Sequence, residues 1–550
     1  MFAAMARRGA TAPQYLRAPL FGAALTAAAG VAVMFVNPLV EGAGIAFGGV
    51  LHAGLAALIA GSVGYAGGRW WMREPPVASP HRRGTVIASS RSAPGSGGHE
   101  SGHEYAAGGR AAGAARGRSL TLAGTQVPPM DEAKHFKLIG TTGTGKSTAI
   151  RELLDGALRR GDRAVIADPD GGYLREYYNP DRGDLILNPF DARSRKWDLF
   201  AEIETPYDAE QLARSMIPDR PHSDSTWTGY ARTFFTAVTR QTHEAGIRDP
   251  GELYRLLVAA EPQTLRTLVA GTPAQPFLNE QNARMFDSVR SVTSDAVSAL
   301  QYVADQDAPG LSVRRWVRDE QPGVLFMPYK AGQIAALRSS ISAWMRLAIF
   351  ETMNRDPIPD TQDHHRRLWF VVDELDALGP IDGLKDALAR LRKFDGRCIL
   401  GFQSVAQVSS TYGAGDAHTI VENCSNSLIF RCAASEGGGT ARFASQLVGE
   451  REIIRTTRSM SRRYDERIGS ITESEHINVE PALLPSQIEQ LPDLAGYLKF
   501  ASDPVWRLVQ FTGQRTAAAR APVPPQGRHR QAAASPAPES GRDHGSHGLE

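Results

Sequence analysis

Gly140 to Ser147 reads GTTGTGKS and satisfies the pattern G-x-x-x-x-G-K-[ST]. Glycines at this spacing let successive backbone N–H groups turn inward on one anion. The helix that follows adds the positive end of its dipole. Lys146 reaches the β- and γ-oxygens of a triphosphate, and Ser147 offers a hydroxyl to Mg²⁺. Gly140, Thr141, Thr142, Gly143, Thr144, Gly145, Lys146, Ser147 and Thr148 are therefore the expected wall of a site for ATP and Mg²⁺.

A cradle holds phosphate without cleaving it, so a carboxylate site is required. RLWFVVDELDALG supplies one: Leu368 to Val372 is an unbroken apolar run, and Asp373 and Glu374 follow at its end. Ligands of open α/β sheets bind at that end of the strands. Asp373 is expected to hold the Mg²⁺ hydration shell, and Glu374 to orient and polarise the attacking water. CILGF then ends in Gln403, an amide open to two readings, sensing the γ-phosphate or capping the next helix. ARLRKFDGR carries Arg390, Arg392 and Arg397. They are either a solvated helix face or, in an assembled ring, the source of an arginine finger reaching a neighbour's nucleotide.

These groups need a sheet to converge on. HFKLI, RAVIAD, GVLFMPY, RLWFVVDE, RCILGFQ and NSLIFRC are short apolar runs bounded by turn residues, as buried parallel strands are. Helical patterns such as STAIRELLDGALRR and LKDALARLRKF lie between them, and the alternation predicts a doubly wound α/β domain. Residues 196–318 break the alternation with helical patterns only. Among them, Asp249-Pro250 is an N-cap followed by proline at the first helical position. The segment reads as an all-α domain inserted between a first nucleotide-binding part, 131–195, and a second, 319–515.

The order GTTGTGKST, ADPDGGY, LNPFDAR, LWFVVDELDALG, GFQSVAQVSSTYG, SNSLIFR resembles the type IV secretion coupling proteins of the TraD/VirD4 class. The likeness runs from about Arg83 to Thr512, skipping the glycine-rich linker. It implies a RecA- and FtsK/HerA-like P-loop ATPase, hexameric when active, that passes DNA to a secretion channel during conjugation. The DNA would be a single strand bound without regard to sequence and carrying a relaxase. Carried over, Lys146 and Ser147 match the phosphate loop, Asp373 and Glu374 the acidic pair, Gln403 the glutamine and Arg392 the finger, with Arg390 and Arg397 kept open. Two other readings remain: an FtsK-like chromosomal translocase, and a membrane receptor for secreted protein that uses nucleotide as a switch.

The ends of the chain are of different composition. Residues 18–36 and 43–67 contain no charged residue, each long enough to cross a bilayer as a helix. Arginines flank the pair, with Trp70 and Trp71 as interfacial anchors, so residues 1–75 read as a two-helix transmembrane anchor. Both ends then lie in the cytoplasm of a bacterial inner membrane. The competing view, a secretory signal peptide, would export the cradle to a place without ATP. Residues 76–130 hold RRGTVIAS, read as one short strand, and a Gly/Ser-rich linker; residues 516–550 read as a disordered tail.

Some signals point away from new chemistry. HESGHE, His99 to Glu104, fits H-E-x-x-H literally, but its glycine-rich flanks will not form the rigid helix a zinc site needs. Arg451, Arg455, Arg458, Arg462, Arg463 and Arg467 are either phosphate contacts or a charged surface loop. A net charge of +2 requires any basic surface to be local. Three scattered cysteines make no disulfide framework.

Overall fold

The computed structural model describes residues 81–88, 119–221, 224–319, 322–357, 367–435, 438–461 and 470–512. The expected spans at 18–36 and 43–67, the linker, HESGHE, Arg462, Arg463, Arg467 and the tail lie outside the described residues. Among the described residues no helix is long and apolar enough to cross a membrane.

The chain divides into two units. The larger holds residues 83–452 and 479–550 and is built on a ten-stranded sheet. Its strands are β2 (Val86–Ala88), β3 (Phe136–Ile139), β4 (Arg163–Pro169), β5 (Leu185–Ile186), β6 (Val324–Tyr329), β7 (Leu368–Val372), β8 (Gly396–Phe402), β9 (Asn426–Ile429), β12 (Ala495–Lys499) and β13 (Val505–Gln510). The spatial order is β2-β13-β12-β9-β3-β8-β7-β4-β6-β5. From β9 to β5 every pairing is parallel, whereas β12 pairs antiparallel with both β9 and β13.

Successive side chains of β4 enter opposite cores. Val165 and Ala167 join one apolar cluster, Ala164 and Ile166 the other. The period of two therefore buries both faces, and the strands read as continuous apolar runs for that reason. All six apolar runs singled out in the sequence form strands of this sheet. Its two antiparallel C-terminal strands, AGYLK and VWRLVQ, are interrupted by small or polar residues and do not read as unbroken apolar runs.

RRGTVIAS is two strands rather than one. Gly84 ends β1 (His81–Gly84) at φ +95°, and a Cβ there would lie 2.4 Å from the Glu450 carbonyl oxygen. The chain turns at that glycine and enters the large sheet as β2. In the smaller unit, residues 1–82 and 453–478, the described part is mostly strand: the outer portions of β10 (Glu450–Ser461) and β11 (Ser470–Pro481). The arginine cluster thus begins on a strand and not on a loop, and Arg451 pairs with Glu480 at 2.8 Å.

The inserted segment is largely helical, with α2 (Pro206–Met216), α3 (Ser225–Glu244), α4 (Pro250–Val258) and α5 (Ala283–Val297) following α1 (Lys146–Arg159). Asp249 accepts from the Gly251 and Glu252 amides at 3.1 and 3.2 Å, capping α4. The segment is not purely helical, which corrects the all-α expectation. Lys196–Trp197 pairs in parallel with Gly310–Leu311, a ladder that brings its two ends together. Buried Glu202 fastens the same neck, accepting from Trp197 Nε1, Ser312 Oγ, Val313 N and Arg314 N at 2.7–3.1 Å. Cys398, Cys424 and Cys432 are buried free thiols.

Candidate active site

Strand order dictates what meets at the C-terminal end of the sheet. β3 feeds the phosphate loop, β7 feeds the acidic pair, and β8 lies between them. In register, Ile139 pairs with Phe402, and Val372 with Leu400. The tips of the three strands therefore present Gly140, Gln403 and Asp373 side by side.

The loop between β3 and α1 is held from behind. Thr141 N donates to Arg431 O at 2.9 Å, and Leu494 N donates to Thr144 O at 2.9 Å. Two glycines have no substitute here. Gly145 sits at φ +118°, with Leu494 and Phe430 each 3.1 Å from where a Cβ would stand. A Cβ on Gly140 would lie 2.7 Å from Phe430 Cβ. The loop thus keeps a concave backbone, the form that takes a phosphate.

Lys146 folds back into this concavity and donates to Gly140 O at 2.6 Å and Thr141 O at 3.1 Å. Burial lowers its ammonium pKa below the usual value, against the pull of Asp373 and Glu374. Ser147 Oγ donates to Asp373 Oδ2 at 2.6 Å. A serine hydroxyl and a carboxylate at hydrogen-bond distance, beside a phosphate cradle, form an oxygen donor set suited to a Mg²⁺ ion that keeps part of its water shell. The residues present fit the phosphates of a nucleotide and Mg²⁺.

Glu374 is half-buried, and burial, then the neighbouring carboxylates of Asp373 and Asp376, push its pKa up. Gln403 Nε2 donates to Glu374 Oε1 at 3.2 Å, and Thr142 Oγ1 donates to Gln403 Oε1 at 3.0 Å. Gln403 therefore ties the phosphate loop to the acidic pair. The capping reading is corrected, because the cap of the next helix, α8 (Val405–Tyr412), is Ser404, which accepts from Ala406 N.

The arginines do not join this cluster. Arg392 is exposed on a turn just before β8, at the opposite end of the strand from Gln403, about 20 Å away at the usual strand rise. Arg390 is exposed in the last turn of the preceding helix, α7 (Leu384–Leu391). Arg397 belongs to neither of its expected settings. It is buried, pairs with Asp395 at 2.7 Å and Glu132 at 3.6 Å, and lies over the Trp369 ring.

Three further residues of the site lie within ADPDGGY and LWFVVDELDALG, where the sequence alone assigns them no role. Tyr173 OH donates to Asp373 Oδ2 at 2.8 Å. Asp168, at the end of β4, accepts from Tyr173 N at 3.1 Å and Leu174 N at 2.7 Å, and burial pushes its carboxyl up to about 6. Asp376 adds a third carboxylate beside Glu374. The available signal was the acid ending RAVIAD ahead of Pro169, because β4 lies next to β7.

Residues 119–510 match the family described as the type IV secretion-system coupling protein DNA-binding domain. Coupling protein TraD of Escherichia coli (strain K12) is 31% identical over 373 residues. That alignment covers 67% of this chain and 51% of TraD, so the chain spans about half the length of this relative. Among solved structures, the unbound monoclinic form of the bacterial conjugative coupling protein TrwBdeltaN70 is similar at 30% identity. Its TM-score is 0.65, with 74% of this chain and 91% of that chain covered. The plasmid coupling protein TrwB in complex with ADP and Mg²⁺ matches at 30% identity and a TM-score of 0.64, covering 73% of this chain and 90% of that one.

Proposed function

The chain belongs to the type IV secretion-system coupling protein family, and from that premise we propose that it is a membrane-anchored, DNA-translocating ATPase that couples a relaxase–DNA complex to a secretion channel. The observation that carries this reading is the Ser147–Asp373 contact at 2.6 Å, which joins the phosphate loop to the acidic strand end.

In this reading the backbone amides from Thr141 to Thr148 hold the phosphates of ATP, and Lys146 leaves the Gly140 carbonyl to reach the β- and γ-oxygens. Ser147 and Asp373 hold the Mg²⁺, whose charge offsets that of the phosphates as the terminal bond breaks. Glu374 orients and deprotonates the attacking water. Gln403 links that carboxylate to Thr142 of the loop, so loss of the γ-phosphate is felt at the helix following β8. Arg392 cannot serve its own chain's site from the far end of β8. It acts in trans, on the nucleotide of the next subunit in a homo-oligomeric ring, most simply a hexamer.

The apolar stretches 18–36 and 43–67 anchor the ring in the inner membrane, with the ATPase in the cytoplasm. The DNA is held through its backbone without regard to sequence, since no base-reading motif is evident in the sequence. Family membership favours secretion over a chromosomal translocase.

DNA-stimulated ATP hydrolysis by wild type and by Glu374→Gln tests the reading. A motor shows stimulation by DNA that falls about 100-fold or more in the variant. Equal, DNA-blind activity in both proteins would instead support a receptor that uses nucleotide as an assembly switch.

A further inference from the structure

Asp373 Oδ2 accepts two hydrogen bonds, from Ser147 Oγ at 2.6 Å and from Tyr173 OH at 2.8 Å. The first is a contact within the proposed Mg²⁺ site. The second comes from the last residue of ADPDGGY, which the sequence reading left without a role. Tyr173 is 1% exposed and stands in the first turn of a short helix, Gly172–Tyr177.

Its position is over-determined. Asp168 accepts from the Tyr173 and Leu174 amides and so fixes the backbone. The Arg151 guanidinium lies 5.1 Å from the centre of the Tyr173 ring and is itself paired with Glu176 at 2.8 Å. Arg151 is on α1, the helix that carries Lys146 and Ser147. The ring is thus gripped from two sides by elements of the site, and its hydroxyl donates to Asp373 Oδ2 with the Ser147 hydroxyl also beside it.

We propose that Tyr173 is a positioning residue for the Mg²⁺ site, holding the Asp373 carboxylate by Oδ2 so that Oδ1 is left to face the ion's hydration shell. A carboxylate at a strand tip can rotate about two side-chain torsions, and a second donor on one oxygen removes that freedom before the ion arrives. Groups that orient a metal's ligands in this way commonly contribute 10- to 100-fold to metal affinity. The bland alternative is a core tyrosine whose hydroxyl takes the nearest acceptor. The two differ in what they predict, because the alternative links Tyr173 to stability and the proposal links it to the ion through Asp373.

The inference rests on the proposed nucleotide chemistry, and binding rather than turnover tests it. The full chain is titrated with a fluorescent ADP analogue in Mg²⁺ and in EDTA, for wild type, Tyr173→Phe, Asp373→Asn and the double variant. Phenylalanine keeps the ring and its packing, and thermal melting monitors the fold. In the wild-type background Tyr173→Phe should reduce the Mg²⁺-dependent gain in affinity about tenfold, with affinity in EDTA unchanged. In the Asp373→Asn background the same substitution should have a markedly smaller effect, what remains coming through Ser147 beside the hydroxyl. An undiminished gain in Tyr173→Phe, equal losses with and without Mg²⁺, or equal losses in both backgrounds would overturn the inference while leaving the function intact. If wild type shows no Mg²⁺-dependent nucleotide binding, the proposed function falls and this inference with it.

Discussion

Ser147 and Asp373 stand 226 positions apart in the chain and meet at 2.6 Å. The inserted helical segment and four strands of the sheet lie between them in sequence, yet the parallel order β3-β8-β7 brings the two strand tips together. Ser147→Ala removes the hydroxyl and leaves the cradle's backbone intact. Hydrolysis in saturating ATP should fall on the order of 100-fold, and raising Mg²⁺ should recover part of it. Insensitivity to both would dissociate this contact from the reaction.

Gln403 bridges Thr142 at 3.0 Å and Glu374 at 3.2 Å. Gln403→Ala breaks that bridge without removing a phosphate-binding group. The expected outcome is a split, with kcat lowered by about tenfold or more and nucleotide affinity retained. A rise in KM at constant kcat would make Gln403 a binding residue instead.

Arg346 is buried on α6 (Ile334–Met353) between two parts of the molecule. It donates to Asp382 O at 3.1 Å on the loop after the acidic pair, and to Ser215 Oγ and Gln211 Oε1 at 3.0 and 3.1 Å on α2. The same helix sends Arg338 to Ala377 O and Ser342 to Pro380 O, both at 2.9 Å. α6 is therefore a strut from the acidic loop to the inserted domain. Arg346→Met should destabilise the protein by about 3 kcal/mol in urea unfolding. DNA stimulation of hydrolysis should suffer more than the basal rate.

Lys137 is a buried lysine in the middle of the cradle's own strand. Its ammonium donates to Val421 O at 3.0 Å and Cys424 O at 2.5 Å, closing the C-terminal end of α9 (Ala414–Asn423). Burial holds its pKa below the ordinary lysine value. Lys137→Met fills the space but removes the ammonium from both carbonyls, leaving Val421 O only the Cys424 amide. The cost should be about 2 kcal/mol, read from unfolding midpoints.

His135 gives a pH dependence with a definite sign. Its Nε2 lies 2.9 Å from Leu388 O, and its Nδ1 accepts from Cys398 N at 3.1 Å, which fixes the neutral ring with the proton on Nε2. Burial, then the nearby Arg397 and Arg392 charges, lower its pKa from 6.5 to about 4, against the raising effect of the Leu388 carbonyl. The unfolded chain therefore takes up this proton first as pH falls. The stabilisation is complete above the unfolded value and is lost between about 6.5 and 4. Between pH 7 and 4.5 wild type should lose about 2 kcal/mol more than His135→Gln, measured as the difference in unfolding free energies.

The chemistry was legible in the sequence because it is written locally. A phosphate loop needs glycine, lysine and serine at consecutive positions on one turn, and a catalytic acid needs a strand end to stand on. GTTGTGKS and LWFVVDE therefore announced themselves, as did the strands whose two buried faces make unbroken apolar runs. Residues that act through distant partners left no such mark. Tyr173 closes ADPDGGY with nothing in the motif to say what its hydroxyl meets, and Arg397 sits in the same short run as Arg390 and Arg392, although one is buried in ion pairs and the others are exposed.

Residue type and spacing decided which groups could bind a triphosphate, since that chemistry depends on neighbours a few bonds apart. Only the tertiary structure decided which oxygen meets which proton. Strand order, buried charge and the turn at Gly171 are set by packing across the whole sheet, and no local pattern carries that information.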